Sequence, residues 1–198
     1  MGPDNIGGRT RALLIDKDDP NKMIAGGVAG GIWISTTAGQ SWSKYNDLAK
    51  NLSVASICQA ANGDIYVGTG EGAFAGYYGN TTATNGMRGQ GIWKSTDRGL
   101  SFNRLPSTYV ENIAEDTALV NAAFSTVSEL AADPTDANKI YASTTRGLLV
   151  SYDAGDSWSN PIFISETSQI NVSDLSKDVA VASDGTVIAA VGNKGYIS

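Results

Sequence analysis

The sequence Gly147-Leu-Leu-Val-Ser151-Tyr-Asp-Ala-Gly155-Asp-Ser-Trp158 has two earlier counterparts in the chain. They read Gly31-Ile-Trp-Ile-Ser35-Thr-Thr-Ala-Gly39-Gln-Ser-Trp42 and Gly91-Ile-Trp-Lys-Ser95-Thr-Asp-Arg-Gly99-Leu-Ser-Phe102. The common pattern is an apolar run followed by Ser-x-Asp-x-Gly-x-Ser-aromatic, with Thr37 at the Asp position of the first copy and Phe102 at the Trp position of the second. A fourth apolar run, Gly195-Tyr-Ile, leads into Ser198. Self-similarity of this kind indicates a repeat architecture.

The repeated motif predicts a β-hairpin whose turn is braced by side chains. Asp97 and Asp153 can accept backbone N–H bonds within the turn, whereas Thr37 is expected to brace its turn more weakly. The glycine supplies a residue with positive φ, and the aromatic residue returns into the next strand. The residues assigned this structural role are Ser35, Gly39, Trp42, Ser95, Asp97, Gly99, Phe102, Ser151, Asp153, Gly155 and Trp158.

Two further apolar segments precede each motif, as in Leu130-Ala-Ala-Asp133 followed by Asn138-Lys-Ile-Tyr-Ala142. Each unit therefore contains four strands, which is the composition of one propeller blade. The sequence predicts an all-β chain with almost no helix and about fifteen strands. The blades are expected at roughly 8–48, 49–108, 124–166 and 176–198, and because the last one stops at Ser198, we expect about three and three-quarter blades of a larger ring.

These motifs resemble the Asp-box, or BNR, repeat of β-propellers, which sialidases, xyloglucanases, sortilin-type receptors and photosystem assembly factors carry. The opening of the chain looks most like the bacterial secreted sortilin-like and xyloglucanase-like propellers. The resemblance implies a secreted or cell-surface protein whose signal sequence is not in this chain. In the xyloglucanases a catalytic Asp would fall near Val28, and the early arginine motif of sialidases is absent.

Composition argues against several classes of function. The formal net charge is −6 without a basic run, which disfavours nucleic acid because affinity there depends on neutralising phosphates. No apolar run reaches the ~20 residues that a membrane span needs. The single Cys58 and the lack of histidine exclude an internal disulfide and His-dependent catalysis. We expect neither a metal nor a cofactor.

A ligand is expected on the face opposite the repeated turns, because the longest loops fall there and binding residues concentrate on loops of rigid scaffolds. The candidate ligand-binding residues are Arg9, Arg11, Glu71, Tyr77, Tyr78, Arg88 and Tyr109. Two alternatives stay open. The two arginines pair with acidic residues of a neighbouring blade or contact the ligand, and the tyrosine pair packs within its loop or stacks on a sugar or peptide.

The sequence predicts a non-catalytic binding or scaffold propeller. Its predicted partners are a glycan or peptide ligand and the remaining blades of a parent protein. The alternative is a divergent polysaccharide-degrading glycoside hydrolase. That chemistry needs two carboxylates roughly 5–10 Å apart, and the sequence pairs none, so an enzyme is the less favoured interpretation.

Overall fold

The computed structural model describes residues 9–45, 52–71, 87, 89–109, 122–144, 147–159, 176–192 and 194–198. The strands of the first half are β1 Thr10–Ile15, β2 Met23–Gly27, β3 Gly31–Ser35, β4 Ser43–Lys44, β5 Val54–Gln59, β6 Ile65–Thr69, β7 Ile92–Ser95 and β8 Asn103–Arg104. Those of the second half are β9 Val127–Ala132, β10 Ile140–Thr144, β11 Gly147–Ser151, β12 Ser176–Val181, β13 Val187–Val191 and β14 Lys194–Ile197. Helical structure in these ranges is limited to 3₁₀ segments at Pro106–Thr108 and Ala122–Ser125.

The strands form four antiparallel sheets, in each of which neighbours in sequence are neighbours in space. Sheet one is β1-β2-β3-β4, sheet two β5-β6-β7-β8, sheet three β9-β10-β11 and sheet four β12-β13-β14. A fourth strand was also expected in sheet three. Its start is visible where Ser159 N donates to Val150 O at 2.8 Å, and the chain after 159 lies outside the described residues.

The three motif turns have the bracing that the sequence predicts, together with a contribution from serine that the sequence did not indicate. Ser101 N donates to Asp97 Oδ1 and Ser157 N to Asp153 Oδ1, both at 2.8 Å. Ser41 N donates to Thr37 Oγ1 at 2.9 Å in the corresponding place. The first serine of every motif also accepts a bond from the glycine N–H, at 3.0, 2.7 and 2.8 Å along the chain.

The residue before each motif glycine also has positive φ, at Ala38, Arg98 and Ala154. The expectation of a positive φ at the glycine is confirmed. A positive φ at a non-glycine residue is uncommon, and the bonds to the serine and aspartate side chains stabilise it here.

The first strand of each of the four sheets contains a bulge near its start. The pairing skips one residue between Thr10 and Ala12, Val54 and Ser56, Val127 and Glu129, and Ser176 and Asp178. An extra residue of this kind bends a strand and increases its twist. The repeat therefore extends to a backbone irregularity that the side-chain pattern does not reveal.

The sheets pack face to face in chain order. β1 contacts β5, β5 contacts β9, and β9 contacts β12, so the first strand of each sheet lies innermost. Three apolar clusters fill the spaces between successive sheets. Cys58 is buried in the cluster between sheets two and three, where desolvation raises the pKa of its thiol, as expected for a core residue.

Candidate ligand-binding surface

Strand register separates the two ends of the sheets. In sheet one, Ile15 pairs with Met23 and Met23 with Ser35, whereas Thr10 pairs with Gly27 and Gly27 with Gly31. The motif turn that follows Ser35 is therefore at one end of the sheet, and Arg9 and Arg11 are at the other. The same reasoning places Glu71 and Tyr109 at the end of sheet two that is opposite its motif turn.

Arg9, Arg11 and Glu71 form one cluster across the junction of sheets one and two, called here the arginine–glutamate cluster. Arg11 Nη1 lies 2.9 Å from Glu71 Oε1, and Arg9 pairs with the other carboxylate oxygen. The Glu71 side chain is only 6% exposed, whereas that of Arg9 is 54% exposed. Pairing with an acidic residue of the neighbouring sheet is thus what the structure shows, and it leaves much of Arg9 accessible to solvent.

The backbone around Glu71 is held closely at the base of the long loop. Glu71 N donates to Met87 O at 2.7 Å, and Gly70 N donates to Ser53 O at 2.8 Å. Gly89 completes this base. A Cβ at that position would lie 2.2 Å from the Thr69 carbonyl oxygen, so a side chain would push the two ends of the loop apart. The backbone that carries the Glu71 side chain is therefore held by main-chain contacts.

Tyr109 is half-buried, and one face of its ring is occupied. The guanidinium carbon of Arg104 lies 3.2 Å from the ring centroid of Tyr109 and 5.8 Å from that of Trp93. Cation–π stacking of this kind orders an aromatic side chain. The other predicted residues, Tyr77, Tyr78 and Arg88, lie outside the described residues.

Glu129 is a candidate that sequence reasoning missed. It lies in β9, and burial raises the pKa of its carboxyl to about 7, with a smaller contribution from Asp178 on β12 and an opposing one from Arg11 on β1. Its charge also acts on Cys58 of β5. Glu129 thus interacts with a group on each of the other three innermost strands. A charged residue inside the apolar segment Val127–Ala132 was the signal that could have identified it.

A metal site has no support within the described ranges, which contain no group of three or more potential ligands from His, Cys, Asp and Glu. Val28, at the position where the xyloglucanase resemblance would put a catalytic Asp, is a buried aliphatic residue.

No family model matches the chain, and no curated protein matches it in sequence. Solved structures do match. An ancestral GH74 enzyme superposes with a TM-score of 0.65 at 21% identity, over 95% of this chain and 23% of that one. YCF48 from Cyanidioschyzon merolae gives 0.56 at 14% identity, over 99% and 54%, and YCF48 bound to D1 peptide gives 0.55 at 17% identity, over 100% and 51%.

The chain has a β-propeller fold. The expectation of an incomplete propeller of antiparallel blades is confirmed, and the four sheets are its blades. The chain spans about a quarter of the ancestral GH74 enzyme and about half of YCF48. Among the described residues, no helix has the length and apolar character that crossing a membrane requires.

Proposed function

We propose that this chain is part of a binding or scaffold propeller within a larger secreted or cell-surface protein. The motif turns are Asp-boxes that brace the blades, and the blades extend over roughly 8–48, 49–108, 124–166 and 176–198. Further blades complete the ring. The ligand, a peptide or a glycan, binds on the face opposite the Asp-boxes, and the chain itself neither binds nucleic acid nor inserts into a membrane.

The arginine–glutamate cluster is the observation that carries this proposal. Two guanidinium groups share one buried carboxylate there, at the end of the sheets opposite the motif turns. An acidic group is the ligand chemistry that suits such a cluster, because charge-assisted bonds between guanidinium and carboxylate groups are stronger than neutral ones. Tyr109 presents an aromatic ring at the same end of the sheets, and we expect Tyr77, Tyr78 and Arg88 to add aromatic and basic contacts.

A peptide with an acidic group is the ligand that this chemistry favours. One structural neighbour, YCF48, has a structure with D1 peptide bound, so a related scaffold accommodates a peptide. A glycan would use the aromatic rings and would need a carboxylate or sulfate to engage Arg9.

Glycoside hydrolysis is the second candidate, favoured by Glu129 and by the GH74 neighbour. A carboxyl with a pKa near 7 keeps its proton at the pH where a general acid must donate one. Asp178 or Glu71 would then be the second carboxylate that the reaction needs.

Peptide and glycan arrays followed by calorimetry test the proposal. Arg9→Ala should weaken binding of an array-selected acidic ligand at least ~10-fold, since one charge-assisted bond contributes ~1.5–3 kcal/mol, and Tyr77→Ala with Tyr78→Ala should abolish it. Lys17→Ala is the matched control, because Lys17 is an exposed cation at the Asp-box end. Unchanged affinity in both ligand-face variants, or loss in the control alone, would overturn the proposal.

A separate assay tests the second candidate function. Release of reducing sugar from a polysaccharide, lost in Glu129→Gln, would favour the hydrolase.

A further inference from the structure

Two carboxylates occupy the same level of the first strands of blades three and four. Glu129 of β9 pairs with Ser143, and Asp178 of β12 pairs with Ala190. Each of the two acids directly follows the bulge residue of its strand, so the strand register makes their positions equivalent. The negative charge of Asp178 adds to the effect of burial in raising the pKa of the Glu129 carboxyl, which shows that the two groups repel each other.

Neither carboxylate forms an ion pair within the described part of the chain. Arg11 is the cation whose charge acts on Glu129, but its guanidinium bonds to Glu71 at 2.9 Å. Glu129 Oε1 accepts one long bond, from Leu130 N at 3.4 Å. Glu129 is half-buried and Asp178 is exposed, so the pair can be reached from solvent. A partly buried carboxylate is stabilised in its charged form only by a nearby cation or hydrogen-bond donor.

A buried hydroxyl without a partner lies at the same level of the adjacent first strand, in blade two. Ser56 of β5 pairs with Gly68, is 1% exposed, and its Oγ has no hydrogen-bond partner. A Cβ on Gly68 would lie 2.6 Å from Ser56 Oγ and 2.8 Å from Val127 Cγ1. The hydroxyl therefore faces β9 two residues before Glu129. Cys58, two residues further along β5, is close enough for the charge of Glu129 to act on its thiol.

We propose that Ser56, Glu129 and Asp178 bind a primary ammonium group of the ligand, either a lysine side chain or a free amino terminus. An ammonium has three N–H donors and no acceptor, and the three side chains offer it one hydroxyl and two carboxylates. Bonds between an ammonium and carboxylates are charge-assisted and therefore strong. The described residues contain no group of three or more potential metal ligands, so an organic cation suits this cluster better than a metal ion.

The ammonium subsite adjoins the arginine–glutamate cluster. Arg11 connects them, because it bonds to Glu71 and its charge acts on Glu129. A ligand that occupies both subsites carries an acidic group and a basic group close together, as a peptide does. A glycan whose polar groups are hydroxyl, carboxylate and sulfate has no ammonium to offer. The inference rests on the proposed binding function, and it specifies the ligand as a peptide with both charges.

Binding of the ammonium should release a proton at about pH 6. Burial holds the pKa of Glu129 at about 7 in the free chain, so its carboxyl is largely protonated below that pH. A cation beside it favours the charged form, and the proton then passes to the buffer. Calorimetry in two buffers with different heats of protonation counts the protons released. Glu129→Gln should bind without proton release.

Short peptides that contain one glutamate, with and without one lysine, test the subsite directly. Both termini are blocked, and the two residues are placed from adjacent to four positions apart. Matched probes replace lysine by acetyl-lysine, or omit lysine and leave the amino terminus free. We expect the best lysine peptide to bind at least ~10-fold more tightly than its acetyl-lysine counterpart. This preference should disappear in Glu129→Gln and weaken in Asp178→Asn and Ser56→Ala. A stronger preference for the free amino terminus would identify that group as the source of the ammonium.

Asp184→Asn is the matched control. Asp184 is an exposed carboxylate of the same blade as Asp178, at the end of the sheets that carries the motif turns, so its loss changes the net charge and should leave the preference for lysine intact. Equal affinity for lysine and acetyl-lysine peptides would overturn the inference, and so would a preference that persists in both Glu129→Gln and Asp178→Asn. Binding of glutamate peptides that Arg9→Ala weakens would then leave the proposed function standing. If no acidic peptide or glycan binds in an Arg9-dependent way, both are overturned.

Discussion

The Ser176 hydroxyl donates to Ser143 Oγ across the junction of blades three and four, at a distance of 2.8 Å. At the two earlier junctions the same positions hold a glycine and a valine. Ser128, the bulge residue of β9, adds bonds to the carbonyl oxygens of Ser143 and Ser176 at 3.2 and 2.9 Å. All three serines are buried, so this junction replaces apolar packing by a hydrogen-bonded group of hydroxyls.

The two serines should therefore be energetically coupled. Ser176→Val alone removes the donor and leaves the buried Ser143 hydroxyl without this bond, which costs ~1–3 kcal/mol. Ser143→Gly combined with Ser176→Val recreates the glycine–valine contact and should recover about 1 kcal/mol of that loss. Urea unfolding of both single variants and the double variant measures the coupling. Additive effects would mean that the two hydroxyls contribute independently.

The motif turns should differ in the strength of their bracing. Asp97→Ala removes a charged acceptor from the Ser101 N–H and from the Ser95 and Ser101 hydroxyls, and loss of a cap-like acceptor costs ~0.5–2 kcal/mol. Thr37→Ala removes a neutral acceptor in the same place and should cost less. Melting temperatures at pH 7 compare the two variants, and a larger loss in Thr37→Ala would contradict the ranking.

Measuring the stability of the same two variants as a function of pH separates the effect of the Asp97 charge from that of the turn geometry. The Ser101 hydroxyl and N–H hold the pKa of Asp97 at about 2, below its usual value of 3.8. The stabilisation by the carboxylate is therefore present above pH 3.8 and is lost as the pH falls through 2. The deficit of Asp97→Ala should shrink over this range, while that of Thr37→Ala should stay constant. A constant deficit in both variants would mean that the charge contributes nothing.

The repeat was readable from the sequence because each turn needs particular chemistry. Serine, aspartate, glycine and an aromatic residue recur at fixed spacing; the serine and aspartate side chains accept backbone N–H bonds, and the glycine has the positive φ that the turn was predicted to need. The bulges were not readable. They depend on backbone pairing between β1 and β2 and its counterparts, and the inserted residues, Arg11, Ala55, Ser128 and Lys177, share no chemical property.

The candidate site was predictable in position and only partly in its contacts. Antiparallel strands force Arg9, Arg11 and Glu71 to one end of the sheets, and that placement needs no side-chain information. The pairing of both arginines with Glu71 depends on the distance between blades one and two. The stacking of Arg104 on Tyr109 depends on the path of the chain through the 3₁₀ turn at Pro106–Thr108. Glu129 was missed because its environment consists of residues that are far apart in sequence.

Glu129 should make stability depend on pH in the opposite sense to Asp97. Burial holds the pKa of Glu129 at about 7 in the folded chain, against 4.5 as its ordinary value. Between these values the unfolded chain ionises while the folded chain keeps the proton, so stability falls as the pH rises from 4.5 to 7. Glu129→Gln should thus gain stability relative to the wild type at pH 8 and lose that advantage at pH 4.5.

Two further variants check the cause of this pH dependence. Asp178→Asn removes a negative charge that raises the pKa of Glu129, so it should shift the pH-dependent transition to lower pH. Lys177→Gln changes an exposed neighbour and should leave the transition in place. A wild-type stability curve that is flat between pH 4.5 and 8 would contradict the assignment of Glu129.

Gly26 should be among the least replaceable residues of the blade junctions. A Cβ there would lie 2.2 Å from Val54 Cγ1 and 3.3 Å from the Ala12 Cβ, and Val54 is itself fully buried. Gly26→Ala should therefore destabilise the chain by ~1–3 kcal/mol, which is typical of overpacking in a core. Gly195→Ala is the matched control, because its Cβ would have nothing within 4 Å, and it should leave the free energy of unfolding nearly unchanged. Adding Val54→Ala to Gly26→Ala removes the Cγ1 that causes the closest contact but keeps the Val54 Cβ at 2.8 Å, so it should relieve part of the overpacking, with a negative coupling energy in urea unfolding. If Gly26→Ala and Gly195→Ala unfolded at the same urea concentration, close approach between blades one and two would not be what requires glycine at position 26.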